Sequence, residues 1–357
     1  MVTLYDCIKR IPSVIENILT KQDDAFASFE GYIKDQVNEI DEIVFIGSGT
    51  SNTVALTSQS FVEKYAGVRT KVVYPNDYIK GGHVYNPHAL YVFTSQTGTS
   101  SVVCQVMEKL KALGYLCVSM TEADDTRLAQ ISPCHICLNC GPEEYGMRTI
   151  GYTASVLCQM LMALKYGLIS GNITMETYQE LQKQAARVPE SHKVITEQAH
   201  EWVENNKRQL MRSRCIIFTG AGMLAGLAME SAVKFWEMPQ VISIGYELEE
   251  GLHGPNYGYD VNHCVVVFND GGSESDKALS LARYMKEVFH NGLVIGTKVA
   301  DDKDLLLDIK GGEFQCLEFS AVPQTMAYFL TIDGGRDLLK PTDHSVMNSY
   351  FSTHSEK

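Results

Sequence analysis

A short apolar run, a glycine-bearing loop and a helical pattern follow one another twice in this chain, about 170 residues apart. In the first copy Ile43-Val44-Phe45-Ile46 reads as a buried strand, Gly47-Ser48-Gly49-Thr50-Ser51-Asn52 as the loop, and Thr53 to Tyr65 as the helix. In the second, Arg214-Cys215-Ile216-Ile217-Phe218 leads through Thr219-Gly220-Ala221-Gly222 into a helix from Met223 to Met238. Strand-like runs also occur at Lys71 to Tyr74, Leu90 to Thr94, Leu116 to Met120 and His135 to Leu138, with helical patterns between most of them. Val265 to Phe268 and Leu293 to Ile295 continue the second copy. Alternation of this kind predicts an α/β chain with parallel sheets covered on both faces, and the recurrence predicts a duplicated domain.

A further loop, Ser95-Gln96-Thr97-Gly98-Thr99-Ser100-Ser101, joins the strand ending at Thr94 to a helix over Val102 to Leu113. Backbone N–H groups and the positive end of a helix dipole point at such a place, and both favour a phosphate. Five Ser/Thr hydroxyls can add hydrogen bonds to its oxygens. The same residues would also serve as an N-cap and turn. With the Gly47 loop, two strand–loop–helix units can meet at the C-terminal edge of one sheet, where open α/β sheets bind ligands. Gly-Ser-Gly-Thr-Ser lacks the third glycine of a dinucleotide fingerprint and the Gly-Lys of an ATP loop, so a small phosphorylated molecule is expected. The corresponding second-half segment, Asn269-Asp270-Gly271-Gly272-Ser273-Glu274-Ser275, has two acids among its first six residues and fewer hydroxyls, and is expected to bind phosphate poorly.

Charge and composition narrow the partners. The net charge is −13, with no general basic footprint, which argues against nucleic acid. No apolar run approaches the roughly 20 residues of a membrane helix, and no secretory leader is visible at Met1 to Asp6, so the expectation is a cytoplasmic protein with no membrane partner. The ten cysteines are then expected to be reduced thiols. Cys134-His135-Ile136-Cys137-Leu138-Asn139-Cys140 resembles part of an iron–sulfur run, but the next cysteine is Cys158. The segment alternates like a strand, with Ile136 and Leu138 on the face of Cys134 and Cys140, so no metal site is expected.

Helical periodicity marks Ile8, Ile11, Val14, Ile15 and Ile18 near the N-terminus, and residues 153–168 read as a helix closing the first unit. Met175 to Ala186 and His192 to Asn205 are polar and helical, and read as a connector. Glu230, Lys234 and Glu237 are spaced i, i+4 and i+7, so they share a helix face. Spacing alone fits an exposed ion-paired stripe as well as a catalytic one. His253, in the glycine-rich Glu250-Gly251-Leu252-His253-Gly254-Pro255, is either a turn residue or an acid–base group.

These motifs together resemble the tandem SIS (sugar isomerase) domain family, which includes the isomerase half of glucosamine-6-phosphate synthase and the fructosamine-6-phosphate deglycases. The resemblance covers about residues 30–345 and rests on Gly47 to Asn52, Ser95 to Ser100, Glu230 to Glu237 and Glu250 to Pro255, with His253 sixteen residues beyond Glu237. It implies two tandem flavodoxin-like three-layer α/β sandwiches with parallel sheets. The implied boundaries are a helical segment at 1–29, SIS domain 1 at 30–170, a connector at 171–205, SIS domain 2 at 206–340 and a tail at 341–357. By resemblance Ser95, Gln96, Thr97 and Ser100 hold a sugar 6-phosphate. Gly49, Thr50 and Ser51 line the sugar or its phosphate, and Thr149 stands where the family places a substrate-binding serine.

The resemblance also makes Glu237 the group that moves protons at C1/C2, with Lys234 beside it. It makes His253 the residue linked to ring opening or leaving-group protonation, often supplied by a neighbouring subunit. The synthase's glutaminase domain is expected to be absent, since Val2 stands where its nucleophilic cysteine follows the initiator methionine, and Val346 takes the place of its ring-opening tail lysine, which neither Lys340 nor Lys357 matches. The expectation is an enzyme without metal or organic cofactor that cleaves or rearranges the C–N bond of a 6-phosphorylated amino sugar or sugar–amine adduct, as a deglycase or deaminase. Alternatives are an aldose–ketose phosphosugar isomerase and a non-catalytic phosphosugar sensor. Phosphate groups in one half and Glu237 and His253 in the other imply a homodimer or higher homo-oligomer.

Overall fold

A computed structural model of the chain describes residues 2–80, 84–338, 340 and 345–354. It divides into two compact units. The first comprises Val14–Pro142, Ile150–Lys183 and Pro341–Lys357; the second comprises Met1–Ser13, Glu143–Thr149 and Gln184–Lys340.

After helix α1 (Leu4–Ile33) the first unit alternates β1 (Glu42–Ile46), α2 (Thr50–Ala66), β2 (Arg69–Val73), α3 (Pro75–Lys80), β3 (Ala89–Thr94), α4 (Ser101–Ala112), β4 (Leu116–Thr121), α5 (Arg127–Ile131) and β5 (His135–Cys137). Helices α6 (Ile150–Ser170) and α7 (Met175–Ala185) follow. The five strands are parallel, in the order β2-β1-β3-β4-β5. Winding reverses between β1 and β3, so the loops leaving these neighbours diverge and open a crevice at the C-terminal edge. All six β3 residues are buried because helices cover both faces of the sheet. On one face Val44, Tyr91 and Phe93 pack with Val103, Met107 and Leu110 of α4.

The second unit runs through α8 (Val188–Arg212), β6 (Cys215–Gly220), α9 (Met223–Glu237), β7 (Ile242–Glu247), β8 (His263–Asn269), α10 (Ser275–Val288), β9 (Gly292–Gly296), β10 (Leu305–Leu306), α11 (Gln315–Phe319) and α12 (Ala321–Asp333). Its strand order, β10-β9-β8-β6-β7, is the first unit's order read from the other side. The duplication extends to single dihedrals. Gly49 before α2 has φ 57° and ψ −129°, and Gly222 before α9 has φ 58° and ψ −130°. Side chains rarely adopt that conformation, so glycine is needed at both turns. A short helix α13 (Ser345–Tyr350) follows and groups with the first unit.

Three sequence expectations change. Strand β7 escapes the apolar reading because Ser243 is buried while Ile242 and Ile244 are exposed at the sheet edge. The polar helix α8 packs one face, including Ile195, Ala199 and Leu210, within the second unit against α11 and α12. Helix α6 is, by length and composition, apolar enough to cross a membrane, unlike the sequence reading; 78% of its most apolar window is buried in the protein, as in a core helix. In the cysteine segment Cys134, Ile136, Leu138 and Cys140 are buried. Burial pushes the Cys134 thiol up to about 11. Among the described residues no group of three or more His, Cys, Asp or Glu side chains is placed to hold a metal ion.

Candidate functional site

In the first unit the loop after β3 is built as a rigid turn. The Gly98 N–H donates to the Ser95 carbonyl at 2.9 Å. Gly98 has φ +64°, and a Cβ there would meet the Thr126 side chain at 2.4 Å, so a larger residue would be both strained and blocked. The turn is fastened to the end of β4: Ser95 N–H donates to the Met120 carbonyl at 3.1 Å, and Glu122 N–H to the Gln96 carbonyl at 2.8 Å. Ser95, Gln96 and Thr99 are buried, whereas Thr97 and Ser100 are half-buried. The Thr97 and Thr99 hydroxyls share a 2.9 Å hydrogen bond. Ser100 is the N-cap of α4 with no side-chain capping bond. Behind the turn, Gln159 donates to Thr94 Oγ1 at 2.9 Å and accepts from Ser58 Oγ at 2.5 Å, tying α6, α2 and β3 together.

Gly49 is exposed and Thr50 and Ser51 half-buried at the start of α2, on the neighbouring edge loop. The two loops therefore place hydroxyls and a helix N-terminus around the β1/β3 crevice, which suits an oxyanion. The equivalent second-unit loop differs. Asn269 Oδ1 takes Gly271 N–H at 3.1 Å and Asp270 Oδ1 takes Gly272 N–H at 2.9 Å, so its own side chains occupy amides that an anion would use.

In the second unit α9 carries an ionic triad unlike the exposed stripe that spacing allowed. Lys234 is 1% and Glu230 2% exposed, whereas 37% of the Glu237 side chain is exposed. Lys234 Nζ lies 3.2 Å from Glu230 Oε1 and 2.5 Å from Glu237 Oε2. Burial works to lower the Lys234 pKa, but Glu230 and Glu237 more than offset it, so the ammonium is held above its ordinary range. One Glu237 oxygen is thus fixed by a buried cation, on a side chain that still reaches the surface.

His253 closes the turn at Glu250–Leu252, and its side chain is 67% exposed. Its Nδ1 lies 2.9 Å from the Glu249 carbonyl. Glu237 and His253 fall at opposite ends of β7. Trp236 Nε1 donates to the Ser243 carbonyl at 2.9 Å, which fixes the end of α9 beside the start of the strand. His253 follows its far end, and the four steps from Ser243 to Glu247 span ~13 Å. No hydrogen bond joins Glu237 to His253 among the described residues.

Thr149 groups with the second unit and is fully buried. Its N–H and Oγ1 donate to Glu143 Oε1 at 2.6 and 2.9 Å, and its carbonyl accepts from Gln324 Nε2 at 3.3 Å. In this arrangement its hydroxyl serves the Glu143 turn. Val346, in the place of the synthase lysine, is 69% exposed. Pro341 to His344 and Lys357 lie outside the described residues.

Two features carry no local sequence signal. Arg336 Nη1 donates to the Glu237 carbonyl at 2.6 Å and also to the Met238 carbonyl, satisfying the end of α9. In the first unit the Ser101 N–H donates to the Thr353 carbonyl at 3.1 Å, and Ser100 bridges His354 beside the hydroxyl-rich loop.

The fold and these loops of the first unit are similar to those of a known domain family. Residues 37–165 match the SIS domain family, and the two sheets have the architecture of two tandem SIS domains. The chain is 25% identical, over 92% of its length, to the glutamine–fructose-6-phosphate aminotransferase (isomerizing) of Bacillus licheniformis. It covers 55% of that relative, and so spans about half the length of the curated proteins it matches. The fold also resembles the C-terminal domain of glucosamine-fructose-6-phosphate aminotransferase from Francisella tularensis, with TM-score 0.86, 20% identity, and 94% and 97% of the two chains covered. The glucosamine-6-phosphate deaminase of Thermotoga maritima gives TM-score 0.70 and 21% identity, with 92% and 98% covered.

Proposed function

We propose that this chain is an enzyme that cleaves or rearranges the C–N bond of a 6-phosphorylated amino sugar or sugar–amine adduct. The Ser95–Ser100 loop takes the phosphate, with Thr50 and Ser51 beside it. Glu237 moves the proton between C1 and C2 and His253 protonates the departing amine or opens the ring. A carbonyl shift or imine hydrolysis at those carbons needs a base and an acid beside an electrophilic carbon, and these two residue types supply them. The observation that carries the reading is Glu237 itself: one oxygen is gripped by the buried Lys234 while the side chain stays 37% exposed.

The ~13 Å of strand between their anchor points supports His253 being supplied by a second copy of the chain. Val346 in place of the ring-opening lysine supports a deglycase or deaminase over a synthase. The test is to incubate the purified chain with fructosamine 6-phosphates and with glucosamine 6-phosphate and measure released amine or ammonia. Release is expected. Absence of both turnover and binding with every one of these substrates would refute the proposal.

A further inference from the structure

An open groove of about 740 Å³ in the second unit shares no residue with the groups discussed above. It is formed by the C-terminal half of α8 and by the loops that lead into β9 and β10. Arg212 ends α8, three residues before β6 begins at Cys215; His290 precedes β9, and Lys303 precedes β10. The groove therefore lies at the N-terminal edge of the sheet, on the side of β9 and β10, whereas Glu237 is anchored beside β7, the opposite outer strand.

Its chemistry is opposite to that of the whole chain. The net charge is −13, yet Arg208, Arg212 and Lys303 line this groove against one carboxylate, Asp302. None of the three cations makes a side-chain ion pair among the described residues. Neighbouring acids have closer partners: Asp301 accepts from Lys286 at 2.7 Å, with only a weaker through-space influence from Lys303, and Glu204 pairs with Lys207 at 2.8 Å. The wall is preformed. Trp202 Nε1 and Asn206 Nδ2 both donate to the Lys303 carbonyl, at 2.7 and 3.2 Å, which fastens that loop to α8. Arg212 Nη2 donates to the His290 carbonyl at 2.9 Å, which orients its guanidinium and leaves its other N–H groups to the groove. Arg208 and Arg212 are one helical turn apart, a spacing of about 5–6 Å that suits two linked anionic groups better than one.

We infer that this groove binds a small molecule carrying two linked phosphate groups, at a place separate from the phosphosugar site. The arginine forks take the phosphate oxygens in bidentate fashion, and Lys303 adds a point charge. A chain this acidic repels anions in general, so three unpaired cations in one preformed groove concentrate such a ligand there.

Calorimetric titration of the full chain with inorganic pyrophosphate and with orthophosphate tests this, in wild type and in R208Q/R212Q, S95A/T97A and D302N. Pyrophosphate should bind wild type at least tenfold more tightly than orthophosphate. Its binding should survive S95A/T97A, which separates this site from the phosphosugar loop. It should weaken tenfold or more in R208Q/R212Q, and D302N should tighten it about threefold, since a like charge is removed. Absence of pyrophosphate binding, equal affinity for both anions, or wild-type binding by R208Q/R212Q would each overturn the inference. If circular dichroism shows R208Q/R212Q unfolded, D302N decides: unchanged affinity there rejects it.

Discussion

Glu237 and His253, the two residues proposed as acid–base groups, sit at opposite ends of β7, with Trp236 bonded to Ser243 at one end and His253 beyond Glu247 at the other. If both act on one six-carbon sugar phosphate, as proposed, that spacing favours their coming from two copies of the chain. Mixing E237Q and H253A proteins should restore activity that neither has alone. In randomly reassorted dimers half the pairs are mixed and each has one intact site of two, so recovery should approach about a quarter of wild type. Steady-state assays after co-refolding read this. No recovery, with mixed dimers shown to form, would place both groups in one chain.

The phosphate-loop assignment predicts a selective loss. Ser95→Ala with Thr97→Ala removes charge-assisted hydrogen bonds worth roughly 1.5–3 kcal/mol each before compensation. Phosphosugar affinity should fall by one to several orders of magnitude while the melting temperature changes little. The Asn269–Ser275 loop, whose amides are held by Asn269 and Asp270, should tolerate Ser273→Ala without effect on affinity.

The α9 triad predicts a stability signature. Lys234→Met leaves Glu230 buried without its cation and should cost about 3–5 kcal/mol in urea unfolding. The double variant E230Q/K234M removes both charges and should recover much of that loss. Equal destabilisation by both variants would mean that burial of the uncompensated carboxylate is not the cause.

His192 makes stability depend on acid. It is fully buried with Nε2 unpartnered, and burial lowers its pKa to about 4. The unfolded chain, with an ordinary histidine near 6.5, binds the proton more tightly, so folding stability falls as pH drops from about 6.5 towards 4. The loss is on the order of 3 kcal/mol from this group. His192→Phe should flatten the melting-temperature profile over that range; an unchanged slope would assign the acid sensitivity to other groups.

Most of the architecture was legible because parallel strands buried on both faces are mostly apolar, as β3 and β6 are, and because Gly49 and Gly222 mark equivalent turns. Strand β7 was not, because its edge position inverts the pattern and buries Ser243 between exposed isoleucines. The helical spacing of Glu230, Lys234 and Glu237 was visible, but not that Glu230 and Lys234 are buried; that depends on what packs against α9. Arg336 lies ninety-nine residues from the carbonyl it satisfies, and Thr353 reaches Ser101 from the far end of the chain, so neither contact has a local signature.

The central claim is that Glu237 moves the proton in a reaction on a phosphosugar. The most direct measurement is turnover and binding by Glu237→Gln, which keeps the size of the side chain but cannot accept the proton. With the substrate that wild type converts, kcat should fall about 10²–10⁴-fold while calorimetric affinity for the phosphosugar stays within a few-fold of wild type. Wild-type turnover by Glu237→Gln on that substrate would contradict the account.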